Sequence, residues 1–492
     1  MHPVIERCLL QRRQFLTTAA GGLGGLALAL LEQRKAKAAD AHLPGAIQYP
    51  VKAKNCIFLY MAGAPSQFDL FSHKPKLNEL NGKPPPAGLL EGKRFAFLQK
   101  DTAVLLGTDP SRAFAPQGQS GMKLSNLLPN LRKHADKLCL INSLYTTQFN
   151  HHPGQLMMQT GHNLQGHPAM GSWLEYGLGS EDKDFPGYVV MNSSGAFSGG
   201  ETLWNSGFLP STYSGVTFRP TGDPVLNLGV PGGFTRESER RGLDTLARLN
   251  ELHRAQQLDP QIAARIENYE LSFRMQTEAP SIVDLSGESA DTLERYGLNR
   301  PDPNINVQSD RAPAAGVYKN FARHCLLARR MVEKGVRFVN VFTGSWDQHS
   351  RLNEECPFFA GLVDQPIAAL LQDLEERGML DETLVVFASE FGRTPLGENR
   401  PGYATVTGRD HHPDSFSVFM AGGGAKGGLT YGETDEIGWS ITKDPVDIAD
   451  FHATILRLFG VEHMALSYDH LGVPQRLTPL TREAKVIEAL IA

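Results

Sequence analysis

Six runs of β-branched and aromatic residues recur along this chain at the length of buried strands. They lie at 55–62 (NCIFLYMA), 137–143 (KLCLINS), 188–192 (YVVMN), 336–342 (VRFVNVF), 384–388 (LVVFA) and 417–421 (SVFMA). Between them, helical spacing predicts helices over 124–134, 151–161, 359–377 and 448–459, with Pro153 suited to a first helical turn. Strands alternating with helices imply a mostly parallel sheet covered on both faces. Residues 76–120 are rich in Pro, Gly and Lys and read as a long surface excursion, and 195–233 as a Gly/Ser/Pro-rich loop region. From 235 to 334 charged, helix-favouring residues take over. Leu243, Leu246, Leu249 and Leu252, then Ile262, Ile266, Tyr269 and Phe273, form stripes expected to pack into a core. That block reads as a helical insertion into one α/β domain spanning 39–492.

The N-terminus changes the picture. Arg12-Arg13-Gln14-Phe15-Leu16 is a twin-arginine pattern, followed by a small-residue apolar stretch at 17–31 and an A-x-A cleavage signal at Ala36-Lys37-Ala38. The apolar stretch is short for a membrane span. Residues 1–38 are therefore expected to be a signal peptide read by the twin-arginine export machinery, leaving a periplasmic or secreted chain with no stable membrane span. That route carries folded proteins, which suits a metalloprotein loaded before export.

Composition adds mainly exclusions. With 492 residues, 41% of them hydrophobic and 21% charged, there is ample material for a large core. A net charge of -5 argues against nucleic acid as a partner. Cys8 leaves with the signal. Cys56, Cys139, Cys325 and Cys356 remain without C-x-x-C spacing, so no disulfide is indicated.

Candidate chemistry gathers behind the apolar runs. Asp347 and His349 follow one strand two residues apart, a spacing that points both side chains the same way in extended backbone. Glu390 and Arg393 follow another, and Arg393 could grip an anion through paired hydrogen bonds. His411 and His412 sit between Asp410 and Pro413; adjacent residues rarely share one ion, so one is expected as a ligand. His151 and His152 open a predicted helix, with His162 and His167 beyond it as weaker candidates. Asp69 trails the first strand, as does Ser66, which has no neighbouring base. Gly422-Gly423-Gly424 is a loop signal only. Since ligands in open α/β sheets collect at strand carboxyl ends, carboxylates and imidazoles arriving there suit a mixed oxygen and nitrogen metal site. The bland reading is a set of His–Asp hydrogen bonds and simple ion pairs.

Four ordered segments carry a resemblance to a known family. They are Gly63-Ala64-Pro65-Ser66-Gln67-Phe68-Asp69, Trp346-Asp347-Gln348-His349, Glu390-Phe391-Gly392-Arg393-Thr394-Pro395 and Gly408-Arg409-Asp410-His411-His412-Pro413. Together they resemble the DUF1501 family of exported proteins related to sulfatases and alkaline phosphatases. The resemblance implies a three-layer alkaline-phosphatase-like α/β fold, with a mostly parallel sheet between helices. It also implies a divalent metal (Zn, Mn or Ca) at the strand ends. Asp347, His349, Glu390 and His411 would be the metal ligands, with Asp69 a further one; His151 and Arg393 would be catalytic, and Ser66, His152 and His412 further site residues. The sulfatase nucleophile frame C/S-x-P-x-R is departed from: His151 and Gln155 stand at the nucleophile and arginine positions. The acidic pair ending the first strand is replaced by Ala62-Gly63, so a single-metal centre is expected rather than two. The implied activity is hydrolysis of a phosphate or sulfate ester of a small molecule or glycan. The alternatives are a non-catalytic binding protein for glycans or an exported partner, and simple metal capture.

Overall fold

The computed structural model of the protein describes residues 46–492, apart from 195–196, 220–221, 227, 231–232, 258–259, 306, 308–312 and 399–406, and the side chains of 253–263. The expected signal segment lies outside the described residues. Among them, no helix is long and apolar enough to cross a membrane.

A nine-stranded sheet forms the centre. Its order is Leu429–Tyr431, Leu138–Tyr145, Phe416–Ala421, Thr383–Ala388, Asn55–Met61, Phe338–Thr343, Tyr188–Asn192 and Val216–Phe218, with Val446–Asp447 also pairing to Leu138–Tyr145. Only Phe416–Ala421 runs against its neighbours; the other pairings are parallel. Asn55–Met61 is central and wholly buried, as its unbroken apolar run requires when both faces are covered. The fold is thus the expected α/β class, a mostly parallel sheet between helices.

Alternation sorts the strands' side chains onto two faces. Ile57, Leu59, Val339, Val341 and Val385 join the main core with the helices Val317–Glu333 and Leu352–Glu376. On the opposite face Asn340 donates to Gln159 Oε1 (2.8 Å) in the helix His151–Thr160. His452, in the helix Ile448–Leu458, donates there to the Met158 carbonyl. Gly161 ends the first of these helices in a left-handed turn (φ 74°), which glycine adopts without strain.

Several expectations are corrected. Residues 124–134 do not form a helix: Met122–Ser125 pairs with Phe114–Gln117 as a hairpin, and a 3₁₀ segment follows at Leu131–Lys137. The 359–377 helix begins earlier, at Leu352. The helical block contains Arg236–Gln257, Pro260–Val283, Ala290–Tyr296 and Val317–Glu333. Its leucine stripe does not pack, since Leu246, Leu249 and Leu252 are 43%, 57% and 65% exposed. Spacing by threes turns about 60° backwards around a helix at each step, so such residues sweep around it rather than share a face.

Candidate metal centre

Parallel register brings the strand ends together: Tyr60 lies opposite both Phe342 and Ala388. The chain leaving each of these strands therefore enters one cleft. After Met61 comes Gly63 (φ +107°), whose bare Cα lies against the Trp346–Asp347 backbone. A Cβ there would sit 2.7 Å from the Asp347 nitrogen, so glycine is what permits the approach.

Asp347 is the hub. Its Oδ1 lies 2.8 Å from His349 Nε2, 3.2 Å from His151 Nε2 and 3.3 Å from His411 Nε2. Donor atoms of His151, Asp347, His349 and His411 all fall within 4.8 Å of one another, a group able to hold a metal ion. Asp347 and His349 meet through successive tight turns, with Gln348 N donating to the Trp346 carbonyl and His349 N to that of Asp347. This is not the extended backbone their spacing suggested.

The outer nitrogen of every imidazole is held by the protein. His151 Nδ1 faces Glu390 Oε1 at 2.7 Å, His349 Nδ1 faces Glu398 Oε2, and His411 Nδ1 donates to the Phe149 carbonyl at 2.7 Å. Fixing the proton on Nδ1 leaves the Nε2 lone pair turned inward, the usual orientation of metal-binding histidines. Nε2 of His151 and of His349 is buried without a hydrogen-bond partner. Such orphaned atoms carry a desolvation cost unless something else satisfies them, and a cation would do so.

Electrostatics keeps Asp347 ionised at the centre of the group. Burial would raise the Asp347 carboxyl pKa, but the Arg393 guanidinium (2.6 Å) and the close imidazoles of His151, His349 and His411 hold it well below the usual carboxylate range. For His151, burial opposes protonation, yet the nearby Asp347 and Glu390 carboxylates outweigh it and push the pKa up to about 9, so a cation bound at Nε2 would displace a proton. Burial, with Arg393 and His151 close by, pushes His411 down. The site opens to solvent chiefly at Asp347, whose side chain is 35% exposed.

The remaining sequence candidates lie elsewhere. Glu390 is outside the donor group; it is fully buried and accepts from Tyr60, Gly63, Ser389 and His151. Asp69 sits 3.6 Å from Arg409 Nε and 3.9 Å from Arg112 Nε, with Ser66 donating to its Oδ2 at 2.6 Å. That places both Ser66 and Asp69 in a buried ion-pair cluster, away from the imidazoles. His151, expected as catalytic, instead joins the ligand group. Arg393 is 1% exposed, and each of its nitrogens already holds an acceptor: Ala64 O, Arg409 O, Gly63 O or Asp347. It anchors Asp347 and is not turned toward a substrate.

His411 and His412 are separated by the strand Arg409–His412, which pairs with Gly392–Gly397 and sets His411 opposite Arg393. Alternation sends His411 inward and His412 outward, where its Nε2 meets the Trp439 carbonyl at 2.8 Å. His152 contacts Gln165 instead.

Glu398 escaped the sequence reading because no strand-end signal marks it. A second group, His349, Glu398 and Asp410, also has metal-binding spacing. Its carboxylates are engaged: Asp410 accepts from the Phe97, Leu98 and His411 N–H groups, and Glu398 faces His349. One metal site is therefore better provided for than two.

Solved structures that match include a sulfatase from Pseudoalteromonas sp. at 15% identity, covering 87% of this chain and 72% of that one, TM-score 0.33. A phosphonate monoester hydrolase from Silicibacter pomeroyi matches at 10% identity, covering 89% and 76%, TM-score 0.30. An alkaline phosphatase superfamily protein from Vibrio parahaemolyticus matches at 10%, covering 87% and 74%, TM-score 0.31. A search of curated proteins finds no match. The family model described as "Protein of unknown function (DUF1501)" matches residues 53–491, and the chain belongs to that family.

Proposed function

We propose that this chain is an exported metal-dependent hydrolase of phosphate or sulfate esters, working with a single divalent cation. The observation that carries the reading is the convergence of His151, His349 and His411 on Asp347, with buried Nε2 atoms left unpartnered. Bound there, the cation would polarise the ester oxygen and lower the pKa of a water. Three nitrogens and one oxygen suit Zn²⁺. Ca²⁺, which takes six to eight oxygens, fits poorly.

The chain's own residues divide the work. His151, His349, His411 and Asp347 hold the ion. Glu390 and Glu398 orient two of the imidazoles, and Arg393 fixes Asp347 while drawing charge from it. Asp347 and His151, the most exposed of the set, face the side from which an ester arrives. The Arg12-Arg13 pair and the apolar stretch behind it support export by the twin-arginine route.

One observation favours a second reading. Arg393, the residue suited to stabilising charge on a transferred group, is buried and already engaged. A sulfatase-like scaffold kept for binding a glycan or an exported partner would have no need of it at the surface. The test is turnover of p-nitrophenyl phosphate, bis-p-nitrophenyl phosphate and p-nitrophenyl sulfate by zinc-loaded protein, beside Asp347→Ala. Turnover abolished in the variant supports hydrolysis. No turnover by any loaded form, together with saturable glycan binding, supports the second reading.

A further inference from the structure

We propose a second ligand site, selective for a phosphate or sulfate group, in a cavity of about 370 Å³ between residues 72–74, the 114–125 hairpin and the outer strands of the sheet. It is independent of the hydrolase reading, because none of its lining residues belongs to the metal-binding group.

Hydrogen-bond donors with N–H or O–H groups to spare line its walls. Lys123 lies on the wall and its ammonium has no protein partner among the described residues. Lys74 donates to the Thr434 and Asp435 carbonyls at 3.0 and 2.8 Å, which leaves its third N–H for a ligand. Asn142, on the wall, accepts from Ser417 Oγ at 2.7 Å through Oδ1, and its amide NH₂ has no protein partner among the described residues. Ser72 is 8% exposed, and its hydroxyl has no protein partner among the described residues. At the cavity wall that hydroxyl is available to a ligand as donor or acceptor.

The charge balance is positive. Glu433 is the carboxylate on the wall, and Lys443 neutralises it at 3.1 Å. Asp435, close by, is engaged by the Ile437, Trp439 and Ser440 N–H groups. Two ammonium groups, an amide and a hydroxyl around one space match a tetrahedral oxyanion, which offers acceptors in every direction. The volume has room for the anion alone or for a small carrier such as a sugar.

The experiment is equilibrium dialysis of the mature protein with radiolabelled inorganic phosphate, inorganic sulfate and glucose 6-phosphate, using wild type, Asp347→Ala, Lys123→Ala and Lys123→Ala/Asn142→Ala. Asp347→Ala removes binding at the metal centre and isolates the cavity. One saturable site is expected in Asp347→Ala, weakened at least about tenfold by Lys123→Ala, as befits loss of one hydrogen bond to a charged group. Lys123 is exposed, so its variant keeps the fold even should the double variant lose it. Tighter binding of glucose 6-phosphate than of phosphate identifies a carried anion, and equal binding a free one; either supports the site. Absence of saturable binding in Asp347→Ala, or undiminished binding in Lys123→Ala, overturns it.

Discussion

Glu390→Gln separates orientation of a ligand from its presence. In the native protein, Glu390 Oε1 accepts from Gly63 N (2.8 Å), His151 Nδ1 (2.7 Å) and Gln155 Nε2 (3.4 Å), while Oε2 accepts from Tyr60 and Ser389 hydroxyls, both at 2.9 Å. Burial opposes its charge, but the His151 hydrogen bond outweighs that and lowers the carboxyl pKa. A glutamine can turn its NH₂ toward Tyr60 and Ser389, whose hydroxyls rotate to accept. Its carbonyl then keeps Gly63 and His151, so the fold survives. What disappears is the negative charge behind His151. A hydrogen bond to a charged partner contributes about 1.5–3 kcal/mol, and loss of such outer partners weakens metal binding about 10–100-fold. Chelator competition with Zn²⁺, or Co²⁺ absorbance, measures this directly, with thermal unfolding as the control. Zinc affinity within about twofold of wild type in a well-folded Glu390→Gln would refute the orientation argument. Glu390→Ala, by contrast, strands several buried donors at about 1–3 kcal/mol each and is expected to unfold.

Other outcomes follow from the same contacts. Gly63→Ala forces a Cβ to 2.7 Å from the Asp347 nitrogen in a backbone conformation that disfavours side chains; zinc binding should fall, with a drop in Tm, and unchanged affinity would contradict the close-approach account. Asp410→Ala frees the Phe97 and Leu98 N–H groups, so limited proteolysis should cut within 76–120 faster while the sheet stays protected. Burial pushes His452 down to about 4 and His324 to about 3. Each takes up a proton on unfolding, so stability is full above about pH 6.5 and falls as pH drops toward 4, by about 2 kcal/mol per histidine at pH 5. His452→Gln keeps the donor to Met158 and should flatten the denaturant midpoint against pH over that window; an unaltered slope counts against the assignment.

What the sequence by itself determined was the frame. Unbroken apolar runs announced buried strands, though not that the one at 417–421 would run antiparallel, and Pro153 marked the first turn of a helix. Asp347, His349 and His411 stood out because strand ends collect polar residues that the core cannot take. Tertiary structure decided the roles. Whether Glu390 grips a cation or backs His151 depends on about 3 Å of placement, set by how three strand ends converge. Arg393 reads as a substrate clamp until folding surrounds it with carbonyls. His411 and His412 became distinguishable only when their segment proved to be a strand, because alternation is a property of backbone and not of letters. The exposed leucines of the helical block show the converse: spacing announces a helix, but only the neighbours that fold against it decide which side is buried.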